Sequence, residues 1–208
     1  MKATYVDHMG SDLTVVNAAR VSFGKKNVYF EEKDKKLIGY LADHGHYSPF
    51  GHCFASFHVK APIFVSRQLV KHKFLRINEV SRRYVEDEPD FFIPEVWRGK
   101  AKNKKQGSEG LAPIPDYLKK MVEMDIKSAL ITYNTLLDNG VAPEQARMVL
   151  PLNTYTEWYW SGSLDAFAAM ANLRLKDDTQ EETREIAKQI STKMKELFPV
   201  SWEALVKE

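Results

Sequence analysis

The stretch "HCFASFHVKAPIFVSRQLVKHKFLRINEVSRRY", His52–Tyr84, decides the fold. Its first part alternates. Cys53, Ala55, Phe57 and Val59 fall on one side of an extended chain, and His52, Phe54, Ser56, His58 and Lys60 on the other. That pattern predicts a strand with one apolar and one half-polar face. Pro62 suits the first turn of a helix, which the spacing carries over 62–74. Residues 77–84 read as a second strand through Ile77, Val80 and Tyr84.

Working outward, residues 4–10 suit a first strand that ends at Gly10, and 11–23 a short helix capped by Ser11 or Asp12. Residues 31–46 read as a helix with Leu37, Tyr40 and Leu41 on one face and Gly45 near its stop. "FFIP" at 91–94 suits a short strand, and 98–114, basic and without periodicity, a surface loop. The clearest helix is 115–140: Leu118, Val122, Ile126, Ala129, Tyr133 and Leu136 keep the helical period, and Gly140 ends it. A short helix between Pro143 and Pro151, a strand over 152–160 and a helix capped by Ser163 follow. A long helix over 178–198 carries a capping-box pattern, Thr179 with Glu182, and a stripe of Ile186, Ile190, Met194 and Leu197. With no internal repeat and no linker, residues 1–208 are expected to form one α+β domain.

Composition narrows the function classes. Hydrophobic residues make up 44% of the 208 and aromatic ones 12%, which marks a globular chain. A net charge of +2 argues against a general nucleic-acid coat. No apolar run suits a membrane span, and the first ten residues lack the apolar core of a signal peptide. One cysteine excludes an internal disulfide, and the simplest reading is cytoplasmic. The six histidines show neither H-x-x-x-H spacing nor paired cysteines beside them, so no metal site is expected; His44, His46 and His52 read as capping or core residues.

Charge is concentrated in 71–84. On a continuing helix, Gln68, Lys71 and His72 would share a face. On a strand, Glu79, Ser81 and Arg83 would point one way and Asn78, Val80 and Arg82 the other. A carboxylate, a hydroxyl and a guanidinium together can accept from a base N–H, donate to a sugar and fork onto a phosphate. A solvated, charged edge strand fits the same residues, and the pattern leaves both readings open. Arg147 is either a snorkelling surface cation or an anion clamp. Arg174, near a helix end, suits the helix dipole. Cys53, on the apolar face of its strand, reads as a buried thiol and not as a nucleophile.

Six blocks in order, "AARVSF", "HGHYSPFGH", "FHVKAPIFVSRQ", "KHKFLRINEVSRRY", "ARMVLPLN" and "NLRL", resemble the flavin-dependent thymidylate synthases, the ThyX family. The family signature opens Arg-His-Arg and closes on a Ser; here it reads Lys71-His72-Lys73 and closes on Ser81. The resemblance implies a mixed or antiparallel central sheet flanked by helices, including a long helix bundle. It implies a homotetramer with active sites at subunit interfaces, and methylene transfer from methylenetetrahydrofolate to C5 of dUMP, with FAD as hydride donor re-reduced by NADPH. Carried over by position, the nucleotide residues are Gln68, Lys71, Glu79, Val80, Ser81, Arg82, Arg83, Arg147 and Arg174. Arg174 is the catalytic one, lying against the uracil and favouring its N3-ionised form. The flavin residues are Ser22, Ser48, Lys71, His72, Lys73, Asn78, Glu79 and Ser163. No cysteine nucleophile is implied, in agreement with the placement of Cys53, so activation must be electrostatic.

The chain departs from the family on the flavin side. Two lysines replace the signature arginines and lose the bidentate fork. Arg76 replaces a small residue, and Gly51 stands where many members carry a glutamate. Ser163, Asp165 and Ala169 replace polar or basic residues that commonly hold the adenylate half, Asp165 with reversed charge. These changes keep two alternatives open: methylation or hydroxymethylation of another pyrimidine nucleotide, dCMP or UMP, and, more remotely, non-catalytic nucleotide or RNA binding through the basic 98–114 segment.

Overall fold

The structure is a computed structural model that describes residues 1–85, 87–102 and 107–207. Its strands are β1 (Lys2–Met9), β2 (Phe54–Pro62), β3 (Arg76–Glu79), β4 (Arg98–Lys100), β5 (Ser108–Leu111) and β6 (Tyr155–Ser163). Its helices are α1 (Asp12–Arg20), α2 (Glu32–Asp43), α3 (Ile63–Leu69), α4 (Asp116–Asp138), α5 (Pro143–Ala146), α6 (Leu164–Arg174), α7 (Glu181–Leu197) and α8 (Pro199–Leu205).

The central sheet runs β1-β2-β6-β3, antiparallel at every step. Alternation sets its two faces. Ala55, Phe57, Val59 and Ala61 of β2 and Trp158 and Trp160 of β6 are buried inward, where Phe167 of α6 meets Phe57 and Trp160 edge-on. Outward, cross-strand polar contacts replace packing: Ser56 with Ser161 at 2.8 Å, His58 with Glu157 at 3.1 Å, and Lys60 with Glu157 at 3.3 Å. The apolar stripe of α7, Ile186, Ile190 and Met194, is buried in the same core. Asp12 joins the two ends of the chain. Its carboxylate accepts from the backbone N–H groups of Val200 and Ser201, at 3.0 and 2.9 Å, and so caps α8.

Several expectations are corrected. The helix after Pro62 stops at Leu69, and Pro62 lies just outside it as the cap. The second strand of the opening stretch ends at Glu79, because the backbone turns at Arg82–Tyr84. Tyr40 does not join the core face of α2; it stacks on His44 at 4.0 Å while Ile38 takes the buried position. Phe91 forms one isolated bridge to Thr154 and no strand. The supposed loop 98–114 contains the hairpin β4–β5, although its residues 103–106 lie outside the described residues. At the start of α7 no capping box forms. Gln180 is the cap, the Thr179 hydroxyl donates to Leu173 O at 3.1 Å, and Glu182 is taken by Arg98. Among the described residues, no helix is long and apolar enough to cross a membrane.

Candidate active site

The site grows from the turn between α3 and β3. After Leu69 the chain passes Lys71, His72 and Lys73, and Phe74 then adopts φ 67°, a left-handed conformation that a bulky residue rarely takes. The turn delivers β3 onto the edge of β6. Gly162, on β6, makes room for it. A Cβ there would collide with Leu75 Cδ2 and sit 3.1 Å from the carbonyl oxygen of Phe74.

Arg174, the last residue of α6, reaches into this turn. Its Nε–H donates to His72 Nε2 at 2.9 Å, and its Nη2 donates to the carbonyl oxygen of Gln68 at 2.9 Å. Burial, followed by the charge of Arg174, lowers the His72 pKa to about 4. The imidazole is therefore neutral near pH 7 and presents the lone pair that Arg174 requires. The side chain of Gln68 donates to Gln180, which donates to Glu182 at 3.1 Å; Glu182 also accepts from Arg98 at 2.5 Å. A polar chain thus runs from the helix end to the β4–β5 hairpin.

Beyond it, Glu79 lies opposite Trp158, on the inward side of the edge strand, and accepts from the Thr156 hydroxyl at 2.6 Å. The Ser81 hydroxyl accepts from Arg83 Nε at 3.2 Å, and the Arg83 guanidinium lies 5.0 Å from the Tyr84 ring. The Val80 N–H extends the ladder by one bond, to Glu157 O at 2.8 Å, and Arg82 donates to the Asp87 carbonyl. The split of 78–83 into two strand faces therefore holds only as far as Glu79. Ser81 and Arg83 still meet, but through a turn.

On the other side of His72 lies a cavity of about 340 Å³, lined by Tyr47, Lys73, Phe74, Asp165 and Asn172 among others. Asp165 Oδ1 is buried there without a hydrogen-bond partner. Gly51 exposes bare backbone towards it, since a Cβ at Gly51 would lie 4.0 Å from that oxygen. An orphaned acceptor, a lysine and two aromatic rings fit part of a dinucleotide such as FAD. The carboxylate can take a ribose hydroxyl or an exocyclic amine, Lys73 a phosphate and the rings a base.

The other sequence-predicted residues are more dispersed. Lys71, Asn78 and Ser48 are exposed, and Ser163 is the residue preceding α6. Ser22 lies in a turn after α1 and Arg147 in a turn after α5; among the described residues, no side-chain hydrogen bond or ion pair joins either to the cluster above. Thr156 and Gln180 were missed. Thr156 had a signal, a polar residue on the inward face of a strand otherwise filled by tryptophans; Gln180 had none.

Cys53 is fully buried. Its thiol, 3.5 Å from Ser11 O, is pushed up to about 11 by burial. Gly10 covers it so closely that a Cβ there would sit 2.7 Å from the sulfur. His44 is engaged by Tyr40, through the stacked ring and a 2.8 Å contact of Nδ1 with the Tyr40 carbonyl. Among the described residues, no three His, Cys, Asp or Glu side chains are grouped to hold a metal ion.

The thymidylate synthase complementing protein family matches residues 4–200. A flavin-dependent thymidylate synthase of Thermus thermophilus is 44% identical over 199 residues, covering 96% of this chain and 73% of the relative. That of Thermosipho africanus is 41% identical over 206 residues, covering 97% and 89%. Among solved structures, the UMP/dUMP methylase PolB of Streptomyces cacaoi, bound with 5-Br dUMP, superposes with a TM-score of 0.90 at 32% identity, covering 100% of this chain and 97% of that one. These matches extend over nearly all of the sequence, and the chain belongs to the thymidylate synthase complementing protein family.

Proposed function

We propose that the protein is a flavin-dependent thymidylate synthase that methylates dUMP at C5 without a cysteine nucleophile. The observation that carries this reading is the pairing of a guanidinium anchored at the end of α3 with a lone thiol that is buried and protonated. A thiolate at C6 is unnecessary if the ring is activated through its own charge. Arg174, beside the uracil, stabilises the N3-ionised ring, whose electron density at C5 then suffices to attack the methylene carbon supplied by methylenetetrahydrofolate; the C–N bond to the folate breaks with its electron pair left on the folate nitrogen, and the C5 proton is lost to solvent. Reduced FAD, when bound, supplies the hydride that completes the methyl group, and NADPH restores it.

The remaining roles follow the chemistry of each side chain. Gln68 and Glu79 orient the pyrimidine nucleotide, with Val80 offering backbone. Ser81 holds the Arg83 fork, and with Lys71, Arg82 and Arg147 it serves the phosphate. Ser22, Ser48, Lys71, His72, Lys73, Asn78, Glu79 and Ser163 serve the flavin, which Asp165 also faces across the cavity.

Arg147 and Ser22 stand apart from the cluster within one chain, which suits sites completed by a neighbouring copy in a homotetramer. α4 supports the same reading. It packs chiefly against α5 and the turn after it, and leaves Tyr117, Met121, Met124 and Ile131 exposed along its length. A cytoplasmic setting completes the proposal.

A second reading, methylation of the ribonucleotide UMP, is favoured by the likeness to PolB, which is described as a UMP/dUMP methylase and was also solved with 5-Br UMP. Product analysis with dUMP, UMP and dCMP, each supplied with methylenetetrahydrofolate, FAD and NADPH, separates the two. dTMP from dUMP is expected as the preferred product. Preferential methylation of UMP would replace the first reading by the second.

A further inference from the structure

We infer that His72 is a positioning residue for Arg174: its Nε2 lone pair fixes the guanidinium from the flavin side, so that one imidazole links the cofactor cavity to the pyrimidine. The inference rests on the proposed function and adds to His72 a role distinct from flavin contact.

The geometry carries it. Arg174 has a long, flexible stem, and a guanidinium on such a stem keeps its plane only if more than one donor is tied down. Here Nε is tied to His72 and one Nη2 proton to Gln68 O, both at 2.9 Å. The two acceptors flank the same helix end, because His72 N–H itself donates to Leu69 O at 3.1 Å and keeps the ring beside the last turn of α3. Two anchors on one edge fix both the plane and the direction of the guanidinium. Its remaining N–H donors point as a unit.

The anchor works only while the imidazole is neutral with its proton on Nδ1. The groups that surround the ring are Arg174 from α6, the neighbouring Lys71 and Lys73, and Asp165 and Tyr47 across the cavity. The nearest full charge is thus the cation of Arg174 itself, which opposes a second positive charge on the ring. Burial acts in the same direction. The ring also lines the 340 Å³ cavity, so its position responds to whatever fills that space.

The test compares His72→Gln with His72→Leu. The glutamine Oε1 can accept from Arg174 Nε at a reach similar to that of Nε2, whereas leucine fills similar space and accepts nothing. Melting temperature and flavin absorbance at saturating FAD establish that both variants are folded and loaded. His72→Leu should lower kcat about ten- to a hundredfold, the usual consequence of a misplaced catalytic group, with a smaller change in KM for dUMP. His72→Gln should recover most of that loss.

A second readout is independent of turnover. The N3 ionisation of bound 5-fluoro-dUMP is titrated by ¹⁹F NMR in the wild-type holoenzyme and both variants. The wild type should lower the N3 pKa relative to the free nucleotide, His72→Gln should keep that lowering and His72→Leu should lose it. Equal lowering and equal kcat in wild type and His72→Leu would overturn the positioning role while leaving the proposed function intact. Failure of the wild type itself to lower the N3 pKa would overturn the proposed function and this inference with it.

Discussion

Replacing Arg174 by alanine tests the chemistry most sharply. The guanidinium has five N–H donors. One on Nε and one on Nη2 are committed to His72 and Gln68, which leaves three for the substrate. Loss of a single preorganised donor at a site of developing charge typically costs about 2.7–4 kcal/mol, or a factor of about 10² to 10³ in kcat. The structural cost is smaller. The variant leaves His72 Nε2 and Gln68 O without partners, but both residues are only half-buried, so water can replace the guanidinium at a cost of about 1 kcal/mol. Turnover should therefore collapse while the melting temperature moves by about 2–4 °C, the shift expected for about 1 kcal/mol in a chain of this size. Initial rates of dTMP formation at saturating dUMP, folate and FAD, with a thermal melt of the same samples, measure both quantities. Arg174→Lys keeps the charge but cannot hold two anchors and a ring at once, so it should recover little. A kcat for Arg174→Ala within about fivefold of wild type would refute the assignment.

Four further outcomes follow from particular contacts. Cys53→Ala should retain turnover and lose about 1 kcal/mol of stability, the value of one small buried group, as read from urea melts. Because burial pushes the wild-type thiol up to about 11 in the fold, the stability held below the ordinary thiol range should fall by about 2–3 kcal/mol as pH rises from about 9 to 11, a pH-dependent loss that Cys53→Ala should not show. Gly162→Ala should strain the turn at Phe74 and Leu75, cost about 1–3 kcal/mol and weaken dUMP binding in calorimetry, and unchanged affinity would show that the turn does not set the nucleotide site. Asp165→Ala should reduce FAD retention through gel filtration without changing the melting temperature of the FAD-free protein; equal retention would show that Asp165 does not hold the cofactor.

Much of this was legible in the sequence where a single period dominates. The alternation through Cys53, Ala55, Phe57 and Val59 gave β2, its buried face and the inert thiol, because burial of alternate residues is a local consequence of strand geometry. The Ile186, Ile190 and Met194 stripe gave α7 for the same reason. What failed depended on partners distant in sequence. Gln68, Lys71 and His72 are spaced as one helical face, yet α3 ends at Leu69, and the turn that follows docks β3 where Gly162, in another strand, leaves room for Phe74 and Leu75. Thr179 and Glu182 spell a capping box, but Glu182 serves Arg98 and Gln180 instead. Residues 98–114 look aperiodic because β4 and β5 are short, and Arg98 is tied to Glu182.

At the site, residue identity was more legible than geometry. By pattern alone Arg174 read as a cation near a helix end, and the family resemblance made it the catalytic residue, but nothing local indicated that His72 would receive it. Asp165 read as a reversed charge; its orphaned oxygen needed the fold. On the proposed assignment, the flavin side shows a change of chemistry, from polar or basic residues to a carboxylate in the cavity that Lys73 also lines, and not the loss of a cavity.

The most direct measurement is dTMP formation by purified wild type and Cys53→Ala with dUMP, methylenetetrahydrofolate, FAD and NADPH. Both should form dTMP at comparable rates, dependent on added flavin. Absence of dTMP from the wild type, or its loss in a Cys53→Ala protein with an unchanged melt, would contradict the claim that charge at Arg174, and not a thiol, activates the pyrimidine.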